Sequence, residues 1–172
     1  NASQNIEFLI ASPPCQGMSI AGKNRCNETM LNDDRNYLIN YVIRAIEELL
    51  PQFILIENVP ALLRLKLPYE GKQCKITDIL SMKFSSTYTI ESKIVDSADY
   101  GVPQTRLRAI IRMYPKGEKW SWPDIVEPKV TVRDAIGYLP SLEAGETSEI
   151  KWHFARKHDA RHIEWMKHTP TG

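Results

Sequence analysis

Cysteine is scarce in this sequence, and what there is shows no pairing pattern. Cys15, Cys26 and Cys74 make an odd number, with neither the spacing of a disulfide framework nor the paired Cys-x-x-Cys arrangement of a zinc site. That usage points to a reducing, cytosolic compartment. Long apolar runs are missing too: none approaches the length of a membrane span, and no signal-peptide pattern opens the chain. An excess of one charge is also lacking. With 22 basic and 21 acidic residues the formal net charge is +1, so overall charge speaks neither for nor against a nucleic-acid partner. There is no internal repeat and no low-complexity tract, and no initiating Met precedes Asn1-Ala2-Ser3, which reads as the start of an excised piece. What is present, 42% apolar and 25% charged residues over 172 positions, suits a globular domain with its own core.

Hydrophobic patterning then predicts the elements. Ile6 to Ala11 is a short apolar run ending in Ser12-Pro13-Pro14, and reads as a buried strand. Gln16 to about Asp34 is polar, carries two glycines and three asparagines, and reads as a long loop, of the kind that usually serves as a functional lid or is disordered. From Arg35 to Leu50, Leu38, Ile39, Val42, Ile43, Ile46 and Leu49 recur at three- and four-residue spacing, which predicts an amphipathic helix stopped by Pro51. Phe53 to Ile56 is a second strand. Strand, loop, helix, strand is a βαβ unit whose strands should be parallel neighbours, leaving Cys15 and Glu57 just past adjacent carboxyl ends, where open α/β sheets hold ligands. A further helix is expected over about Cys74 to Phe84. Strands at Tyr88 to Val95 and Leu107 to Met113 are joined too closely for a helical crossover, and should pair antiparallel at one edge. Thr131 with Asp134 resembles a capping box opening a short helix to about Leu139.

Taken alone, Cys15 would be read as a small buried hydrophobe. Its company argues otherwise. Ser12-Pro13-Pro14-Cys15-Gln16-Gly17-Met18-Ser19 resembles the Pro-Cys-Gln nucleophile motif of the DNA (cytosine-5) methyltransferases. Asp34-Arg35-Asn36 with Leu38 resembles the block that follows it. Glu57-Asn58-Val59 resembles the family's Glu-Asn-Val motif, and Tyr100-Gly101-Val102-Pro103-Gln104-Thr105-Arg106-Leu107-Arg108 its Gln-x-Arg-x-Arg motif. Each short match is uninformative by itself; four in family order, spanning Phe8 to Arg108, are not. The tail from His153 to Gly172 resembles, more loosely, the segment before the family's target-recognition domain.

The resemblance implies an α/β fold, part of a doubly wound, Rossmann-like sheet of the S-adenosylmethionine-dependent methyltransferases, with parallel strands and an antiparallel pair at one edge. Residues 1–114 would be the catalytic half, and 115–172 an irregular and helical segment leading towards target recognition. A thiolate adding to carbon 6 of cytosine makes carbon 5 nucleophilic towards a methyl sulfonium, the role implied for Cys15. Glu57, expected mostly buried beside an arginine, would act at ring nitrogen 3, although a carboxylate at a strand end can equally be a solvated one. Arg108, with Arg106 beside it on one strand face, would hold the base carbonyl and the Glu57 carboxylate, although two strand arginines can simply form surface ion pairs. The base must first leave the duplex, and Gln16, Ser19, Lys23 and Arg25 are the candidate DNA contacts on the lid.

Pro14 and Leu38 are the candidate contacts to S-adenosyl-L-methionine. The family's Gly-rich cofactor turn is not in the sequence, so most of that site should lie elsewhere. The chain therefore reads as an enzyme fragment, inactive alone; a split subunit needing a partner chain, or a tRNA methyltransferase of the same fold, are the alternatives. The expected partner is duplex DNA, with self-association through an exposed sheet edge. His158 and His162, four apart, would share a helical face as in metal sites, but no third ligand accompanies them, so no metal is expected.

Overall fold

The computed structural model describes residues 6–14 and 37–169. Cys15, Gln16, Ser19, Lys23, Arg25 and the rest of the expected lid lie outside the described residues.

Strand β1 (Phe8–Ala11) pairs in parallel with β2 (Phe53–Asn58), with Phe8 opposite Phe53 and Ala11 opposite Ile56. Between them runs helix α1 (Ile39–Leu49), whose Ile39, Ile43 and Ile46 are buried at one helical face. It ends where predicted. Pro51 cannot continue the ladder, and Leu50 takes a left-handed conformation at φ 45° that returns its N–H to the Ile46 carbonyl. The Pro51 carbonyl accepts a 2.6 Å hydrogen bond from the buried Tyr88 hydroxyl, and burial raises the Tyr88 pKa.

After a 3-10 turn (Pro60–Arg64) the chain makes a hairpin that the sequence reading lacks, β3 (Lys66–Tyr69) and β4 (Lys72–Lys75). Glu70 and Gly71, both at positive φ, form its two-residue turn, the backbone shape that matches strand twist in tight hairpins. Cys74 belongs to β4, so the helix expected from there, α2 (Ile76–Phe84), starts two residues later. The chain closes the sheet with β5 (Tyr88–Asp96) and β6 (Leu107–Pro115), antiparallel to each other. The sheet order is β1-β2-β6-β5: β6 inserts beside β2, also antiparallel, and β5 forms the edge.

Strand alternation divides this sheet into two faces. One carries Ile54, Ile56, Ala109, Ile111 and Met113, all at 0% exposure, packed against α1, α2 and the buried Leu62 and Leu67. The other carries Phe8, Phe53, Leu55, Glu57, Arg108, Ile110, Arg112 and Tyr114. Irregular backbone follows β6, but it is packed: Trp120 sets its ring edge-on to Phe8, Phe53 and Tyr114. Arg112 is buried there, its guanidinium 4.1 Å from the Trp122 ring centre and its Nε 2.7 Å from the Glu91 carboxylate.

The chain divides into two compact units, residues 1–130 and 131–172. In the second, α3 (Val132–Ile136) opens with the predicted capping box, Thr131 and Asp134 bonding each other's backbone N–H, and α4 (Ala160–Lys167) is capped by Asp159. No residue of either helix is buried.

Candidate active site

The parallel register places residue 12 beside residue 57, because the pairs 8–53, 10–55 and 11–56 continue one step beyond the ladder. Ser12 accordingly faces Glu57, and its hydroxyl donates a 2.6 Å hydrogen bond to Glu57 Oε2. From the other side comes β6. Glu57 lies opposite Ile110 in the antiparallel register, which makes Arg108 its diagonal neighbour on the same face, within reach of a long side chain. Arg108 Nε lies 2.7 Å from Glu57 Oε1, and its Nη1 donates to the Leu107 carbonyl at 2.8 Å. Both carboxylate oxygens of Glu57 are thus engaged, one from each flanking strand.

The Glu57 side chain is 31% exposed and that of Arg108 21%, so most of each is covered. The next residue is buried. Asn58 is 5% exposed, donates from Nδ2 to the Pro13 carbonyl at 2.9 Å and accepts from the Val59 N–H at 2.8 Å. A buried amide is costly unless satisfied, so these bonds pin the Ser12-Pro13-Pro14 turn to the end of β2. That turn leads directly into Cys15.

Arg106 departs from expectation. It sits before β6 begins and is exposed, so strand alternation alone does not set it on the face of Arg108. The backbone explains this. The Asp96 carboxylate accepts the Arg106 N–H at 2.7 Å and the Ala98 N–H at 3.2 Å, and the Ser97 N–H donates to the Arg106 carbonyl, so a turn rather than a ladder holds this residue. The same two N–H groups, Arg106 first, hold the Asp96 carboxyl below the ordinary value of 3.8.

Pro14 is exposed just beyond β1, and Leu38 is half-buried at the start of α1, so both lie at the carboxyl edge of the parallel pair. They fit an apolar wall for a methyl donor, and supply no polar group for its charged parts. The histidine pair does not share a helical face. His158 precedes the α4 cap, while His162 leans on Asp159 at 3.1 Å. No group of three or more ligating side chains suited to a metal occurs among the described residues, and no helix there is long and apolar enough to cross a membrane.

Two residues escaped the sequence reading as site components, Ser12 and Asn58, although both lie inside motifs it singled out. Ser12 could have been found by carrying the parallel register one residue past the apolar run.

The chain is 55% identical over 170 residues to the type II methyltransferase M1.HgaI of Avibacterium volantium, an alignment covering 99% of this chain and 47% of that protein. It is 34% identical to the type II methyltransferase M1.HphI of Haemophilus parahaemolyticus, covering 98% of this chain and 44% of that one. The chain thus spans about half the length of the curated relatives it matches. Among solved structures it resembles a candidate DNA modification methyltransferase encoded within an E. coli prophage, with a TM-score of 0.58 at 30% identity over 81% of this chain and 37% of that one. The Entamoeba histolytica methyltransferase EhMeth shares the fold at a TM-score of 0.51 and 22% identity, over 72% of this chain and 37% of that one. The sheet is therefore that of the methyltransferases, and, matching the family model along residues 1–172, the chain belongs to the C-5 cytosine-specific DNA methylases.

Proposed function

We propose that this chain is the catalytic part of a DNA (cytosine-5) methyltransferase acting on a cytosine flipped out of duplex DNA. The observation that carries the reading is the Glu57 carboxylate, held by Arg108 beside the turn that leads into Cys15. A carboxyl group gripped in this way, on the strand beside the one whose sequence runs on to Cys15, suits proton transfer to a ring nitrogen.

The chemistry proceeds from the residues. The Cys15 thiolate forms a bond to carbon 6 of the base, and the displaced electron pair is taken up as ring nitrogen 3 receives a proton from Glu57. Arg108 neutralises the carboxylate left behind and holds it in place. Pro14 and Leu38 would border S-adenosyl-L-methionine, which when bound would supply a methyl group to carbon 5 and leave as the thioether. Loss of the carbon 5 proton to solvent then expels the Cys15 thiolate, and the proton on nitrogen 3 returns to Glu57. Arg106 is proposed to assist from the turn before β6, and Gln16, Ser19, Lys23 and Arg25 to contact the DNA. Residues 115–172 lead towards the region that reads the target sequence. The type II relatives favour a role in restriction-modification and DNA over tRNA as substrate.

Tritiated-methyl incorporation by the full-length protein tests this, with duplex DNA and tRNA offered side by side. Label in DNA cytosine supports the reading; label in tRNA alone overturns it. The 172-residue chain by itself is proposed to self-associate through the outer edge of β1, where Phe8 and Ile10 are exposed; a monodisperse monomer by light scattering contradicts that.

A further inference from the structure

Glu57 is held from two sides by two different kinds of donor. Arg108 Nε, 2.7 Å from Oε1, belongs to a guanidinium that can donate but never accept. A proton on Oε1 would meet that donor head-on. Any proton the carboxyl group carries therefore resides on Oε2, the oxygen that Ser12 Oγ approaches at 2.6 Å.

A hydroxyl is the suitable partner for an oxygen that gains and loses a proton. It donates to a carboxylate lone pair when Glu57 is ionised. When Oε2 is protonated it donates to the remaining lone pair or rotates to accept, so the carboxyl group need not swing between the two states. A lysine or arginine at this place would favour only the ionised state, and an alanine would grip neither. Ser12 is also fixed along the backbone. Ala11, before it, is paired with Ile56, and Pro13, after it, has its carbonyl held by Asn58 at 2.9 Å. Its short side chain has one rotatable bond, so little freedom is lost in presenting the hydroxyl.

We propose that Ser12 is a positioning residue for Glu57, keeping Oε2 as the proton-carrying oxygen and aiming it through both protonation states of the reaction. This rests on the methyltransferase reading above. In that reaction the proton on Oε2 passes to ring nitrogen 3 as the Cys15 sulfur bonds to carbon 6, and returns on elimination. Ser12 acts through Glu57 rather than on the base or the methyl donor.

The experiment compares the full-length protein with Ser12→Ala and Ser12→Thr. The readouts are steady-state methylation and the rate of covalent trapping on duplex DNA substituted with 5-fluorocytosine, where fluorine at carbon 5 blocks elimination. Positioning a general acid accounts for part of its usual hundredfold or greater contribution, so Ser12→Ala should slow trapping and lower kcat about tenfold. KM for DNA should stay within about twofold, because uniform binding is untouched. Ser12→Thr restores the hydroxyl and should recover most of the rate. Wild-type trapping rates in Ser12→Ala, a loss confined to KM, or a threonine variant as slow as the alanine one would each overturn the positioning role. A wild-type protein that forms no adduct at all would overturn the methyltransferase reading, and the positioning role with it.

Discussion

The two faces of the central sheet are built from the same strands and behave as two different materials. On the inner face, Ile54, Ile56, Ile111 and Met113 are sealed from solvent beneath α1 and α2. On the outer face stand Glu57, Arg108 and Arg112, with aromatic rings packed among the aliphatic side chains. The difference teaches how a half-buried sheet divides its duties. The inner face supplies the burial that stabilises the fold, and its one polar side chain on β2, Asn58, is satisfied by hydrogen bonds at the strand end. The outer face keeps ionisable side chains, Glu57 and Arg108 partly exposed at a strand end and Arg112 buried against Trp122, each paired with a neighbour on the next strand. Substitutions on the two faces should therefore separate stability from activity.

The sharpest break should come at Glu57. Glu57→Gln keeps the shape and the contact to Arg108 but removes the titratable proton. In the full-length protein kcat should fall about 10²- to 10⁴-fold, the usual contribution of a general acid. The melting temperature should change little. A variant retaining wild-type kcat would remove Glu57 from the chemistry. Ile54→Ala should do the reverse, one residue along the chain from the outer face. Its cavity at a fully buried site should cost about 2–5 kcal/mol, measured by denaturant unfolding. Near-wild-type stability would mean that the inner face is not the core described above.

The smallest effect concerns the turn that displaces Arg106. Asp96 has its carboxyl pKa lowered by the Arg106 and Ala98 N–H groups, so its ionised form favours the folded state. That contribution is fully present above the ordinary value of 3.8 and is lost as pH falls through the lower folded value. Asp96→Asn keeps an acceptor oxygen but no charge. The variant should be slightly less stable at neutral pH, and the gap should close in acid. A gap independent of pH across that range would contradict the hydrogen-bond assignment.

Much of this arrangement was legible in the sequence, and the failures have physical causes. β1, α1 and β2 announce themselves through apolar period and the Pro51 stop, and Thr131 with Asp134 announces its capping box. The β3–β4 hairpin was missed because Lys66 to Lys75 contains a proline and many polar residues, and its Glu70-Gly71 turn lacks the usual asparagine or aspartate. Alternation extended from the strand back to Arg106 counts residues but cannot see the Asp96 carboxylate capturing the Arg106 backbone. Glu57 and Arg108 were legible through their motifs, and the cross-strand register explains why those motifs meet. The Trp120 and Trp122 packing around Arg112 was not legible, since it joins an irregular segment to a strand face through side chains alone.

The central claim, covalent catalysis by Cys15 with Glu57 as the proton donor, is tested most directly at Cys15. The measurement is tritiated-methyl transfer from S-adenosyl-L-methionine to duplex DNA by full-length wild-type protein and Cys15→Ser, with DNA binding followed in parallel. A serine hydroxyl is a far weaker nucleophile than a thiolate at neutral pH, so incorporation should fall to background while binding persists. Incorporation near the wild-type rate by Cys15→Ser would contradict it.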